Sequence, residues 1–104
     1  MSIKITDSNF EGLISDGITL IDFKAPWCTP CTTLSPIIDE ISNEYPNVKV
    51  GKMDVDENST IPMKLGIKSI PTIIIYKNGE IMERKTGSIS KQQIKSMLDA
   101  QLSS

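Results

Sequence analysis

Leu20-Ile21-Asp22-Phe23-Lys24-Ala25-Pro26-Trp27-Cys28-Thr29-Pro30-Cys31 is the stretch on which the reading of this 104-residue chain turns. Residues 18–23 are a mostly apolar run of the kind buried on both faces of a sheet, and they lead directly into Pro26 and two cysteines three positions apart. From Cys28 the period changes. Leu34, Ile37, Ile38, Ile41 and Tyr45 follow i, i+3, i+4, i+7 and i+11, which is one apolar stripe along a helix. Pro36 lies inside that stripe and removes an amide donor, so it predicts a kink, not an end, because the spacing continues beyond it. The two cysteines therefore stand where a buried strand gives way to a helix.

Upstream, Thr6, Asp7 and Ser8 offer N-caps for a short helix through Phe10, Leu13 and Ile14, and Asp16-Gly17 separates it from the strand. Downstream, Pro46-Asn47 closes the long helix and residues 48–55 read as a strand. Asp56-Glu57-Asn58-Ser59 is a loop, followed by a short helical piece ending at Gly66. Residues 72–76 are β-branched strand, and Asn78-Gly79 can supply the two positive φ values of a type I′ turn, so residues 81–86 return antiparallel. After Gly87, Ser90 and Gln93 form a capping box for a last helix with Ile94, Met97, Leu98 and Leu102 inward. The order β-α-β-α-β-α-β-β-α predicts an α/β fold: a central five-stranded mixed sheet flanked by four helices, parallel in its early strands with an antiparallel edge. Without repeats, low-complexity segments or linkers, residues 1–104 are expected to form a single domain.

Lys and Arg number 11 and Asp and Glu 13, scattered along the chain, for a net charge of −2. That leaves no basic stripe for nucleic acid and no acidic arm. The longest aliphatic run, Ile73-Ile74-Ile75, is too short to cross a bilayer, and the start lacks the apolar stretch of a secretory signal. The expectation is a cytoplasmic monomer that binds neither nucleic acid nor membrane. In a reducing compartment two cysteines are read more readily as redox-active or metal-binding than as a structural staple.

Cys28 at the mouth of a helix meets unpaired amides and the positive end of the helix dipole, which should lower its thiol pKa and favour the nucleophilic thiolate. Cys31, one turn on, is close enough to close a disulfide with it. Zinc usually takes four Cys or His ligands, and this chain has two Cys and no His, so only a site shared across a dimer would serve. A structural disulfide over so short a loop removes little chain entropy, about 2 kcal/mol. Asp22, an acid in an apolar strand, is either buried with a raised pKa or turned outward at a strand end. Lys52 is either near it or a solvated strand lysine, and Trp27 is either an exposed apolar contact or a core aromatic.

The segment 20–31, with Ile70-Pro71-Thr72, Asn78-Gly79-Glu80 and Gly87 in order and spacing, resembles the thioredoxin family over essentially the whole chain. The resemblance implies the thioredoxin fold and protein-disulfide reduction with no bound cofactor and no metal. Cys28 would attack, Cys31 would resolve, and a redox-active Cys28–Cys31 disulfide would result. It implies a buried Asp22 accepting the proton of Cys31, with Lys52 beside it. Trp27, Thr29, Pro30, Ile70, Pro71 and Gly87 would face substrate. Sequence alone favours a trans bond at Pro71, whereas the resemblance implies cis. A disulfide-bearing protein would be the substrate, and a flavin-containing thioredoxin reductase drawing on NADPH the electron donor. Three departures stand out. Thr29-Pro30 replaces the usual Gly-Pro, which leaves a less reducing oxidase or isomerase open beside the reductase. Lys24 stands where Trp is common and Thr32 where Lys is common, and Lys24 is expected to pair with Asp56. Thr86 and Ser88 make the groove more polar than usual. A non-catalytic binding module is the alternative from another class.

Overall fold

A computed structural model describes residues 2–103. They run β1 (Ile3–Ile5), α1 (Phe10–Ile14), β2 (Ile18–Lys24), α2 (Thr29–Glu44), β3 (Lys49–Asp54), α3 (Thr60–Lys64), β4 (Thr72–Lys77), β5 (Glu80–Thr86) and α4 (Lys91–Leu102). The strands form one mixed sheet in the order β1-β3-β2-β4-β5. The five strands and four helices expected from the sequence are present in that order, and the sheet is that of the thioredoxin fold.

The parallel portion is smaller than β-α alternation suggests. β1, β3 and β2 pair in parallel, but β4 runs antiparallel to β2 as well as to β5. The connection that carries α3 starts and finishes at the same end of the sheet. β4 begins beside Phe23, at the end of β2 where β3 finished at Asp54, and can only run backwards. This brings the last residues of β2 and β3 and the segment before β4 to one edge.

Period-two alternation divides the core between two faces. Leu20, Val50, Ile73 and Ile75 pack under Leu34, Ile38 and Ile41 of α2 and Ile94 and Leu98 of α4. Ile21, Phe23, Met53, Ile74 and Tyr76 face the opposite way, against Phe10, Ile14 and Ile61 of α1 and α3. Helix α2 passes through Pro36 without ending. Gly51 is required where β1 lies alongside β3: a β-carbon there would lie 2.5 Å from the Ile5 side chain and 2.8 Å from the Ile3 carbonyl. Asn78 and Gly79 adopt φ values of 52° and 86°, as the hairpin turn demands. The Ser90–Gln93 capping box is formed in both directions, at 3.1 and 2.9 Å.

Two local expectations are corrected. Asp7 does not cap α1. Its carboxylate accepts from the backbone N–H groups of Ile61 (2.8 Å) and Thr60 (3.2 Å), capping α3 across 54 residues. Leu102 is exposed and Gln101 takes the buried position, because an inward row through Ile94 and Leu98 continues at i+7, not i+8.

Candidate functional site

The cysteines are positioned by the β2–α2 junction. Cys28 is the N-cap of α2, with extended backbone (φ −90°, ψ 108°), and its Sγ accepts from the Cys31 N–H at 3.3 Å. A cysteine sulfur here occupies the place usually taken by a Ser, Thr or Asp oxygen. Pro30 sits in the first turn, where a missing N–H leaves no intrahelical bond unmade. Cys28 and Cys31 are joined in a disulfide. Both are shielded: Cys28 is 5% exposed and Cys31 1%, packed with Ala25, Val55 and Ile70.

Asp22 is fully buried, on the face of the sheet that α2 covers. Among the described residues neither carboxylate oxygen has a hydrogen-bond partner. Its pKa is pushed up from 3.8 to about 7, chiefly by burial away from water. Lys52 and then Lys24 pull it back down, and Asp39 adds a smaller upward push. Lys52 is the direct register partner of Asp22 on β3, but its ammonium is held from above by α2. It donates to Ser35 Oγ at 2.6 Å and pairs with Asp39 at 3.0 Å, which holds the Asp39 carboxyl below its usual range. Ser35 and Asp39 were missed in the sequence. The available signal was their i+4 spacing below Cys31, a polar row down one side of an amphipathic helix.

Lys24 does not pair with Asp56, and makes no ion pair among the described residues. Asp56 is taken instead by Trp27, whose indole N–H donates to it at 2.8 Å. Trp27 is thus 69% exposed and yet pinned, a large apolar surface held beside the disulfide. Lys24 itself lies in the sheet, opposite Asp54, and lines the cleft beside Lys52.

The Ile70–Pro71 peptide is cis, as the resemblance implied and the residue order alone did not. The Ile70 carbonyl lies 3.9 Å from Cys28 Sγ. Gly87, at φ 93°, donates its N–H to the Pro71 carbonyl at 2.9 Å and so ties the end of β5 to the proline segment. A β-carbon at that φ would be strained. Between these segments and α2 runs a shallow groove lined by Pro30, Thr33, Ile37, Pro71, Ser88 and Ile89. Thr29 is exposed at the helix start, and Ser88 lines the groove. Thr86 does not. Its hydroxyl meets that of Thr72 at 3.2 Å. Ile89, buried at the floor, is a groove residue that the sequence did not single out. Among the described residues no group of three or more His, Cys, Asp or Glu is placed to hold a metal, and no helix is long and apolar enough to cross a membrane.

The family model described as Thioredoxin matches residues 1–100. The chain is 53% identical to a thioredoxin of Rickettsia felis over 102 residues, covering 95% of this chain and 94% of that one. It is 44% identical to one of Buchnera aphidicola over 100 residues (93% of each). With one of Pseudomonas aeruginosa it shares 39% over 103 residues, 96% of this chain and 95% of that protein.

Proposed function

The chain belongs to the thioredoxin family and is a thiol–disulfide oxidoreductase with protein-disulfide reductase activity, and from that premise we propose how its residues divide the work. The reduced Cys28 attacks one sulfur of a substrate disulfide. The substrate's other sulfur leaves as a thiolate and takes up a proton, and a mixed disulfide remains. Cys31 then gives its proton to Asp22, directly or through water, and attacks Cys28 Sγ. The second substrate thiolate departs, and two electrons have moved from the cysteine pair to the substrate.

The observation that carries this division is the Cys31 N–H directed at Cys28 Sγ from inside the first turn of α2. A negative charge on Cys28 gains that donor together with the helix dipole, whereas Cys31, deeper and shielded, gains neither. Asp22 is the acceptor because its raised pKa puts its proton exchange near neutrality. Lys52 positions that charge from β3. Trp27, Thr29, Pro30, Ile70, Pro71 and Gly87 form the substrate-facing rim, where Ile70 can pair its backbone with an extended peptide. We further propose a single domain over residues 1–104 working as a cytoplasmic monomer, recharged by a flavin-containing reductase that draws on NADPH.

The test is covalent trapping. Cys31→Ser mixed with a disulfide-bonded protein is expected to accumulate a one-to-one adduct that dithiothreitol releases, and Cys28→Ser none. Trapping by Cys28→Ser alone would reverse the two roles. Equilibration with glutathione buffers measures what Thr29 does to the potential, and a strongly oxidising value would turn the physiological direction to oxidation.

A further inference from the structure

Lys24 is left without a task by this division, although its placement is specific. It lies two residues beyond Asp22 on β2, so both side chains leave the same face of the sheet. The register sets Lys52 opposite Asp22 and Asp54 opposite Lys24. Lys24 is half-buried and lies where two clefts meet. One is shared with Lys52, Asp54 and Glu57, and the other with Cys31, Thr32 and Ser35. The two cations near the carboxyl are thus unlike. Lys52 is anchored to Ser35 and Asp39 of α2, whereas Lys24 has no ion pair among the described residues. Its charge acts on Asp22, and it lines the cleft that Cys31 also lines.

We propose that Lys24 is a positioning residue for the resolving half of the exchange, setting the proton affinity of Asp22 and through it the pH at which Cys31 can be deprotonated. The inference rests on Asp22 being the proton acceptor. The charged groups that act on that carboxyl are Lys24 on its own strand, Lys52 on β3 and Asp39 on α2, with apolar Ile73 opposite on β4. Lys24 and Lys52 both favour the ionised carboxylate against its burial. Losing one cation lets burial win by more, so Asp22 keeps its proton to higher pH and accepts that of Cys31 less readily near neutrality.

The experiment uses Lys24→Met, Lys24→Arg and Asp22→Asn, with two readouts. The first is the 13C titration of the Asp22 carboxyl in the oxidised protein. The second is the single-turnover rate of resolving a preformed mixed disulfide, measured against pH. Lys24→Met is expected to raise the titration midpoint by roughly half a unit to one unit, at the low end of what a neighbouring opposite charge does. The acid limb of the resolution profile should shift by the same amount. Lys24→Arg, which keeps the charge, should restore both. A midpoint unmoved by Lys24→Met, or moved equally by Lys24→Arg, overturns the role of Lys24 and leaves that of Asp22 standing. A resolution profile that Asp22→Asn leaves unchanged overturns the acceptor assignment, and the kinetic role of Lys24 with it.

Discussion

Helix α2 handles charge in opposite ways at its two ends. Near its C-terminus Glu40 and Glu44 reach the surface, where Lys91 of α4 bridges both, at 2.9 and 2.6 Å, and Lys95 meets Glu44 at 3.0 Å. The hydrogen bonds from Lys91 and Lys95 hold the Glu44 carboxyl below its usual range. Beneath the helix lies Asp22, which is wholly buried, without a hydrogen bond among the described residues, and raised to about 7 by desolvation that Lys52 and Lys24 only partly offset. Charges in water find partners easily and contribute little, since solvent and salt screen them. A charge removed from water costs free energy unless it stays protonated, and that cost is what tunes its proton exchange to neutral pH. One end of the helix docks α4, and the other covers the carboxyl to which we assign the proton transfer.

The comparison predicts a descending series of effects. Cys28→Ser is expected to lose turnover of protein disulfides entirely, while Lys91→Ala keeps wild-type turnover; a reductase assay on both variants checks it. Equal losses would mean that the two ends are not functionally separate.

Next is Asp22→Asn. A folded pKa of about 7 against 3.8 means that the native chain holds this proton more tightly than the unfolded chain does. Stability is therefore lost as pH rises from about 4 to about 7. Below that window both states are protonated, and above it the penalty is complete, at ~4 kcal/mol from about 1.4 kcal/mol per unit. Urea unfolding at pH 8 should show the oxidised Asn variant more stable by an amount of that order, with the gain vanishing below pH 4. Resolution of the mixed disulfide should slow in the same variant. A variant less stable at pH 8 would mean that the ionised carboxylate has compensation that the packing does not reveal.

Trp27→Ala should raise KM for protein disulfides several-fold and leave kcat and the unfolding midpoint nearly unchanged. The ring is mostly exposed and its one hydrogen bond goes to a surface carboxylate. Steady-state kinetics on a folded disulfide protein would separate the two constants. The smallest effect belongs to the charged end. Lys91→Ala should lower the unfolding midpoint only slightly, and the difference should disappear in about 1 M salt, where the Debye length shrinks to about 3 Å. A salt-independent loss would show that Lys91 acts through packing of its stem instead.

Much of this was legible in the residue order. The junction at Cys28, the apolar stripe of α2, the Asn78-Gly79 turn and the Ser90–Gln93 box depend on neighbours within a few positions, and local periodicity and capping chemistry specify such features. The features that residue order did not reveal share another cause. Asp7 caps a helix 54 residues away, Asp56 goes to Trp27 and not Lys24, and β4 starts at the end of the sheet where β3 finished and runs back along β2. Each depends on which groups the fold brings together, and no spacing rule contains that.

By itself, then, the sequence determined the elements, the two-sided core and the cysteine pair at a helix start, because these follow from side-chain period and backbone donors close in the chain. Only the tertiary structure decided the environment of the pair. Strands β2 and β3 end at one edge, so Asp22 is sealed beneath α2 with Lys52 opposite it and Lys24 beside it, and the segment of Ile70 and Pro71 is set against Cys28. The physical reason is that burial and electrostatic coupling are properties of the assembled interior: a carboxyl acquires a pKa near neutrality only once the rest of the chain has excluded water from it.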